Sequence, residues 1–296
     1  MDMSSIQTAA ARPLNSTIDH AISIPIPSFI RLPYRFISHF SPDLGGELAR
    51  RIFFHPPRPF HTDRQRQMLD RAEAQDLGCS SGRLATYSWG KGPAVLLIHG
   101  WGGHAGQMTE FAAPLTDAGF RAIAIDLPAH GRSAGKLSSL VHFSEAIHVA
   151  AHAFAPVHGV ITHSLGGAAL IWALRQDFTA RRTVLISPQA QLNDYWRAFR
   201  SSLRMSDASW AAMVAKSERW LGVSFPELHP RVGAPRMTAP ALILHGEDDR
   251  LSPVNEGREL ARLWPGARIE EFAGTGHLSI LRHEQAIRAA SLFMQS

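Results

Sequence analysis

Beyond about residue 84 the chain settles into a rhythm of short apolar runs alternating with longer stretches whose apolar residues recur at helical spacing. Residues 84–89 and 94–99 read as strands split by the turn Gly90-Lys91-Gly92-Pro93. Residues 104–118 read as a helix, 121–126 as a strand, 138–154 as a helix, 157–162 as a strand and 165–175 as a helix. Strands at 183–187, 241–245 and 267–272 continue the series, with helices at 255–264 and 284–294. Uninterrupted apolar strands alternating with helices predict an α/β fold, a mostly parallel, doubly wound sheet covered on both faces.

Two regions break that rhythm. Between residues 187 and 236, Trp196, Phe199 and Leu203, then Trp210, Met213 and Val214, recur at helical spacing, followed by Trp220, Leu221 and Phe225. Two or three short amphipathic helices are expected there. The plainer reading packs them on the core. The sharper one makes 189–236 a helical cap inserted into a core of 61–188 and 237–296, because loops at the C-terminal ends of parallel strands surround the ligand crevice. The other region is an N-terminal extension over 1–60. Residues 1–20 are polar and predict a loose tail. From Ile22 to Phe40 the chain turns apolar, but Pro25, Pro27 and Pro33 argue against one continuous helix. Ile22, Ile24, Ile26, Phe29, Ile30, Phe36, Ile37 and Phe40 call for burial, either as an arm along the domain or as a homodimer contact or membrane-surface anchor. Residues 63–76 form a charged helix candidate.

The 296 residues suit one α/β domain with an insertion. The net charge of +5 comes almost wholly from scattered arginines, with no zinc-finger spacing or aromatic-studded basic strand, so no nucleic-acid partner is expected. A single cysteine, Cys79, excludes an intrachain disulfide and fits a reducing, cytoplasmic setting. It sits in a polar Gly-Cys-Ser-Ser-Gly turn and reads as inert. Residues 1–16 make a poor secretory signal, and no apolar run is long enough for stable membrane insertion.

The candidate chemistry lies in the loops that follow the strands. After residues 157–162 comes His163-Ser164-Leu165-Gly166-Gly167, where a strand turns at once into a helix. Such a turn exposes a serine oxygen and aims a helix N-terminus at charge developing beside it, with Gly166 and Gly167 keeping bulk low. The plainer alternative is a serine capping an ordinary helix. A nucleophilic serine also needs a base, an orienter and oxyanion donors. Gly274-Thr275-Gly276-His277 follows another strand, His245-Gly246-Glu247-Asp248-Asp249 a third, and His99-Gly100-Trp101-Gly102-Gly103 a fourth. In a parallel sheet all four loops leave one edge, so they converge.

These four motifs, with Asp126-Leu127-Pro128-Ala129-His130-Gly131-Arg132-Ser133, resemble the α/β-hydrolase family over residues 84–296, in the order serine, acid, histidine. The resemblance implies Ser164 as nucleophile, His277 as base and Asp249 as acid, with the backbone N–H groups of Trp101 and Leu165 as the oxyanion hole. It also implies an acyl-enzyme route that needs no metal or organic cofactor. Serine at the nucleophile position argues against dehalogenase or epoxide hydrolase chemistry, where the family uses an aspartate. A small acyl ester is the expected substrate, contacted by Trp196, Phe199, Trp210 and Met213. Thioesters, lactones, C–C bonds and a non-catalytic binding role are the alternatives. Asp248 or Glu247 could orient His277 instead, although the family spacing selects Asp249. Thr162 stands where the family pattern has a small residue and is expected to crowd the helix against the strand. His99 and His163 read as structural or pocket-lining, and His130 as a turn brace. No histidine pair has metal-ligand spacing with a carboxylate on one helix.

Overall fold

The computed structural model describes residue 24 and residues 26–296; the expectations for residues 1–20, Ile22 and Pro25 fall outside them. Eight strands form one sheet: β1 (Glu73–Cys79), β2 (Gly82–Trp89), β3 (Ala94–Ile98), β4 (Arg121–Ile125), β5 (Val157–His163), β6 (Arg182–Ile186), β7 (Ala241–Gly246) and β8 (Arg268–Phe272). Their order is β1-β2-β4-β3-β5-β6-β7-β8. β2 runs antiparallel to both β1 and β4, and every other pairing is parallel. The mostly parallel, doubly wound α/β sheet is therefore present. Helices α1 (Ser28–Phe40), α2 (Pro42–Phe53) and α3 (Asp63–Asp70) precede it. α4 (Ala112–Asp117), α5 (Leu140–Ala153) and α6 (Leu165–Arg175) follow β3, β4 and β5. Between β6 and β7 lie α7 (Leu192–Leu203), α8 (Asp207–Leu221) and the single turn α9 (Pro230–Gly233), and α10 (Val254–Leu263) and α11 (Glu284–Gln295) follow β7 and β8.

The period-2 geometry of the strands divides their apolar side chains between two cores. Val95 and Leu97 join Met108, Phe111 and Phe293 on one face, while Leu96 and Ile98 join Phe143, Ile147 and Leu170 on the other. The chain passes from β3 to β4 on one side and then to β5 on the other. The loops after β3 and β5 therefore flank a topological switch point, where crevices open in doubly wound sheets.

Several elements differ from expectation. Residues 63–76 are not one helix: α3 ends at Asp70 and β1 begins at Glu73 as an exposed edge strand. A two-sided polar strand carries no alternation to betray it. Cys79 ends that strand, and burial pushes its thiol pKa up, which keeps it protonated. The 104–118 helix divides into a 3₁₀ stretch over Ala105–Phe111, whose first N–H, from Ala105, goes to the Asp126 carboxylate at 2.7 Å, and the short α4. α1 starts just after Pro27 and runs through Pro33, contrary to the helix-breaking expectation. The hydrogen bond that Pro33 forgoes would have used the carbonyl of Phe29, an exposed residue whose carbonyl water can serve.

The N-terminal helices pack against the inserted ones. Tyr34 of α1 and Ala49 of α2 share one small core with Phe199, Leu203 and Met213 of α7 and α8. The helices before the sheet and those inserted between β6 and β7 thus form a common layer.

Candidate active site

β5 is buried along its C-terminal half and delivers the chain to Ser164, from which α6 starts at Leu165. Ser164 has φ 54° and ψ −124°. That conformation costs a non-glycine residue on the order of 1–3 kcal/mol and persists only where the surroundings hold it. Here the Ser164 N–H donates to the Ile186 carbonyl at 2.9 Å, and its own carbonyl accepts from Gly167 N–H at 3.0 Å. Thr162 does not prevent this turn: it is fully buried, and its hydroxyl donates to the Val184 carbonyl at 3.3 Å. Across the gap Gly100 leaves the space the serine needs, since a Cβ there would lie 2.7 Å from Ser164 Cβ.

The loops after β7 and β8 meet beside that serine. His277 Nε2 lies 3.0 Å from Ser164 Oγ, and His277 Nδ1 lies 2.7 Å from Asp249 Oδ2. The other oxygen of Asp249 accepts from the backbone N–H groups of Leu251 and Ser252, at 2.9 and 2.8 Å. Burial pushes the Asp249 pKa up, but the His277 hydrogen bond and charge, with the Ser252 N–H, outweigh it and leave the carboxyl below its ordinary range. Glu247 and Asp248 are exposed, and of the three neighbouring acids Asp249 turns inward. His163 Nε2–H donates to the His277 carbonyl at 2.9 Å and so ties the β5 loop to the β8 loop. Its buried Nδ1 has no partner among the described residues, and burial drives its pKa down to about 3.

Two neutral imidazoles brace the loop after β3. His130 donates from Nδ1 to the Pro128 carbonyl at 2.9 Å and accepts the Gly102 N–H on Nε2 at 3.0 Å. His99 accepts the Leu127 N–H at 3.1 Å and donates to the Gly100 carbonyl at 2.7 Å. Both roles require uncharged rings, and burial holds His99 far below its ordinary pKa and His130 at about 4. Trp101 sits between these anchored residues, and Trp101, Ser164 and Leu165 all line one cavity.

That cavity measures about 1180 Å³ and has mostly apolar walls. Trp196 and Phe199 line it, together with Tyr195 and Gln189. Trp210 and Met213 do not. Met213 is fully buried against α1, α2 and α7, and Trp210 packs at the edge of that same cluster, so the helical stripe that carried the expectation faces the N-terminal helices. In their place the extension supplies wall residues such as Ile26, Ile30, Phe53 and Pro57. The apolar spacing of the extension announced burial, but nothing in it names the partner surface.

The hydrogen-bonded serine, imidazole and carboxylate can move a proton from Ser164 toward His277 while Asp249 offsets the charge on the ring. Among the described residues no three His, Cys, Asp or Glu side chains gather as a metal site, and no helix is long and apolar enough to cross a membrane.

Comparison with known proteins places these loops in context. A model of the alpha/beta hydrolase family matches residues 95–290. The pimeloyl-[acyl-carrier protein] methyl ester esterase of Chromobacterium violaceum is 29% identical over 235 residues, covering 66% of this chain and 91% of that protein. The monoacylglycerol lipase of Mycolicibacterium smegmatis is 26% identical over 232 residues, covering 60% and 81% of the two chains. Among solved structures, an esterase of Pyrococcus furiosus superposes with a TM-score of 0.61 at 17% identity, covering 81% of this chain and 98% of that one. This last likeness speaks to the fold.

Proposed function

The chain belongs to the alpha/beta hydrolase family, and we propose that within it the protein is a serine hydrolase cleaving carboxylic acyl esters. Ser164 Oγ attacks the ester carbonyl as His277 Nε2 takes its proton. Asp249 holds the ring with Nδ1 protonated and stabilises the imidazolium. The N–H groups of Trp101 and Leu165 receive the tetrahedral oxyanion, each contributing about 3 kcal/mol. His277 returns the proton to the leaving alcohol, leaving an acyl group on Ser164. A water deprotonated by His277 then attacks that acyl group, and the same proton returns to Ser164.

The observation carrying this reading is the unbroken line from Ser164 Oγ through His277 to Asp249, with distances of 3.0 and 2.7 Å, opening on an apolar cavity. The wall residues Trp196 and Phe199 favour an apolar acyl or alcohol group. The names of the relatives, a methyl ester esterase and a monoacylglycerol lipase, agree with ester substrates.

A fluorophosphonate probe tests the nucleophile. The wild type is expected to label and Ser164→Ala to stay silent. A silent wild type would point to a binding protein on a hydrolase fold. A panel of p-nitrophenyl esters tests the substrate class: labelling without ester cleavage, alongside turnover of a thioester or diketone, would replace the ester assignment.

A further inference from the structure

Helix α1 presents two apolar faces, and among the described residues only one is buried. Tyr34 is buried in the core shared with α7 and α8, and Ile30 lines the cavity. The opposite face carries Phe29, Leu32, Phe36 and Phe40, exposed by 74, 61, 69 and 72%. Their spacing places them on one stripe of the helix. Leu44 at the start of α2, 59% exposed, extends the apolar surface. A continuous stripe of this size on a monomer marks a surface that something covers.

The charges around the stripe say what. α1 contains no acidic residue; helical geometry sets Arg35 beside Leu32 at the border of the stripe and Arg31, one turn earlier, further round the same side, both exposed. Neither takes part in an ion pair among the described residues. On the other flank the helix turns through Ile37 toward Ile30 and the cavity wall. A second copy docking through the same stripe would bring the arginines of both helices together with no acid on α1 to answer them. Phosphate headgroups would answer them.

We propose that α1 docks the protein on an anionic lipid surface, with the phenylalanine stripe in the headgroup and acyl boundary and Arg31 and Arg35 against phosphates. The active-site cavity then adjoins the bilayer through the flank of α1 that carries Ile30, which suits a substrate that partitions into lipid. Docking itself does not rest on the hydrolase reading, because it concerns binding and not turnover. The stripe also lies outside residues 95–290, the part matched by the family model.

Flotation of the full-length protein with vesicles tests the proposal. Vesicles of phosphatidylcholine with phosphatidylglycerol are expected to carry the wild type at low salt and to release it at high salt. Vesicles of phosphatidylcholine alone are expected to carry much less. Arg31→Gln/Arg35→Gln is expected to lower partition to the anionic vesicles about thirtyfold, roughly fivefold per arginine. Phe36→Ser/Phe40→Ser is expected to lower it more than about tenfold on either vesicle. Because these side chains are exposed, thermal melting checks that the variants remain folded, and Phe29→Ser/Leu32→Ser repeats the readout at the other end of the stripe. A full-length protein that ignores both vesicle types overturns the proposal. So does binding that is insensitive to charge and salt. A dimer in sedimentation that Phe36→Ser/Phe40→Ser dissolves, without vesicle binding, assigns the stripe to a second copy and also overturns it.

Discussion

At position 100 a single methyl group would sit 2.7 Å from Ser164 Cβ and 3.2 Å from its hydroxyl oxygen. Neither neighbour is a flexible chain end, so Gly100→Ala must displace the serine or the loop that carries Trp101. A displacement of about an ångström at a reacting group costs on the order of a hundredfold in rate. Gly100→Ala is therefore expected to lower kcat by about that factor with a much smaller effect on thermal stability, and steady-state kinetics beside a melting curve will check it. Asp249→Asn probes the other end of the line. The amide oxygen can still accept the Leu251 and Ser252 N–H groups, so the loop should hold its shape. The acceptor for His277 Nδ1–H is lost, and kcat is expected to fall by on the order of ten thousandfold. Ser164 and His277 stood out in the sequence because each follows a strand at one sheet edge, whereas among the three neighbouring acids after β7 only the family spacing pointed to Asp249. The departure at Thr162 was legible too, but its consequence was not. Whether a threonine crowds an elbow depends on the acceptor its hydroxyl finds, and here that is a carbonyl on the neighbouring strand β6.

Between helices, the decisive contact is the crossing of α2 with α8. A Cβ on Gly46 would come within 2.6 Å of Ala212 Cβ and 2.7 Å of the Met213 backbone nitrogen. Gly46→Ala is thus expected to pry the two helices apart at a cost of about 1–3 kcal/mol, read as a lowered melting temperature. Met213, fully buried in the same layer and absent from the cavity wall, separates packing from substrate contact. Met213→Ala should cost roughly 2–5 kcal/mol of stability while leaving KM for a small ester almost unchanged. A large rise in KM with intact stability would return Met213 to the substrate site. These helices also mark where reading the sequence runs out. The inner strands of the parallel sheet, β3 to β7, are apolar on both faces and stand out, and the helices behind them follow their 3.6-residue period. β1 is polar on both faces and hides among helical patterns. The stripe of Trp210 and Met213 showed that α8 buries a face, but a hydrophobic period does not say against what. That answer came from the N-terminal extension, whose own apolar residues were equally mute about their partner.

Across the molecule, the largest unspent electrostatic term is a set of imidazoles folded in the neutral state. Burial lowers His104 to about 4, His130 to about 4 and His163 to about 3, and holds His99 well below its ordinary value. Unfolded, each titrates near 6.5. Their contribution is fully present above that pH and is lost as pH falls, because the unfolded chain takes up protons that the folded one refuses. Each ring can contribute a slope of up to about 1.4 kcal/mol per pH unit within its window. Glu256 opposes them over part of the range. Burial raises it to about 7 even though it accepts the Ala190 and Gln191 N–H groups, so its effect improves stability as pH falls from about 7 toward its unfolded value of 4.5. One opposing carboxyl does not cancel several histidines, and below 4.5 its opposition ends while His104, His130 and His163 remain unprotonated until about 4, 4 and 3. Stability is therefore expected to decline between pH 6.5 and 4.5 with a net slope of up to about three protons, roughly 4 kcal/mol per pH unit, and somewhat more steeply from 4.5 toward 4. Urea unfolding at a series of pH values reads this directly. His104→Gln removes one titrating ring that does not line the cavity and should flatten the acid limb by about one proton; an unchanged limb would place the acid sensitivity elsewhere.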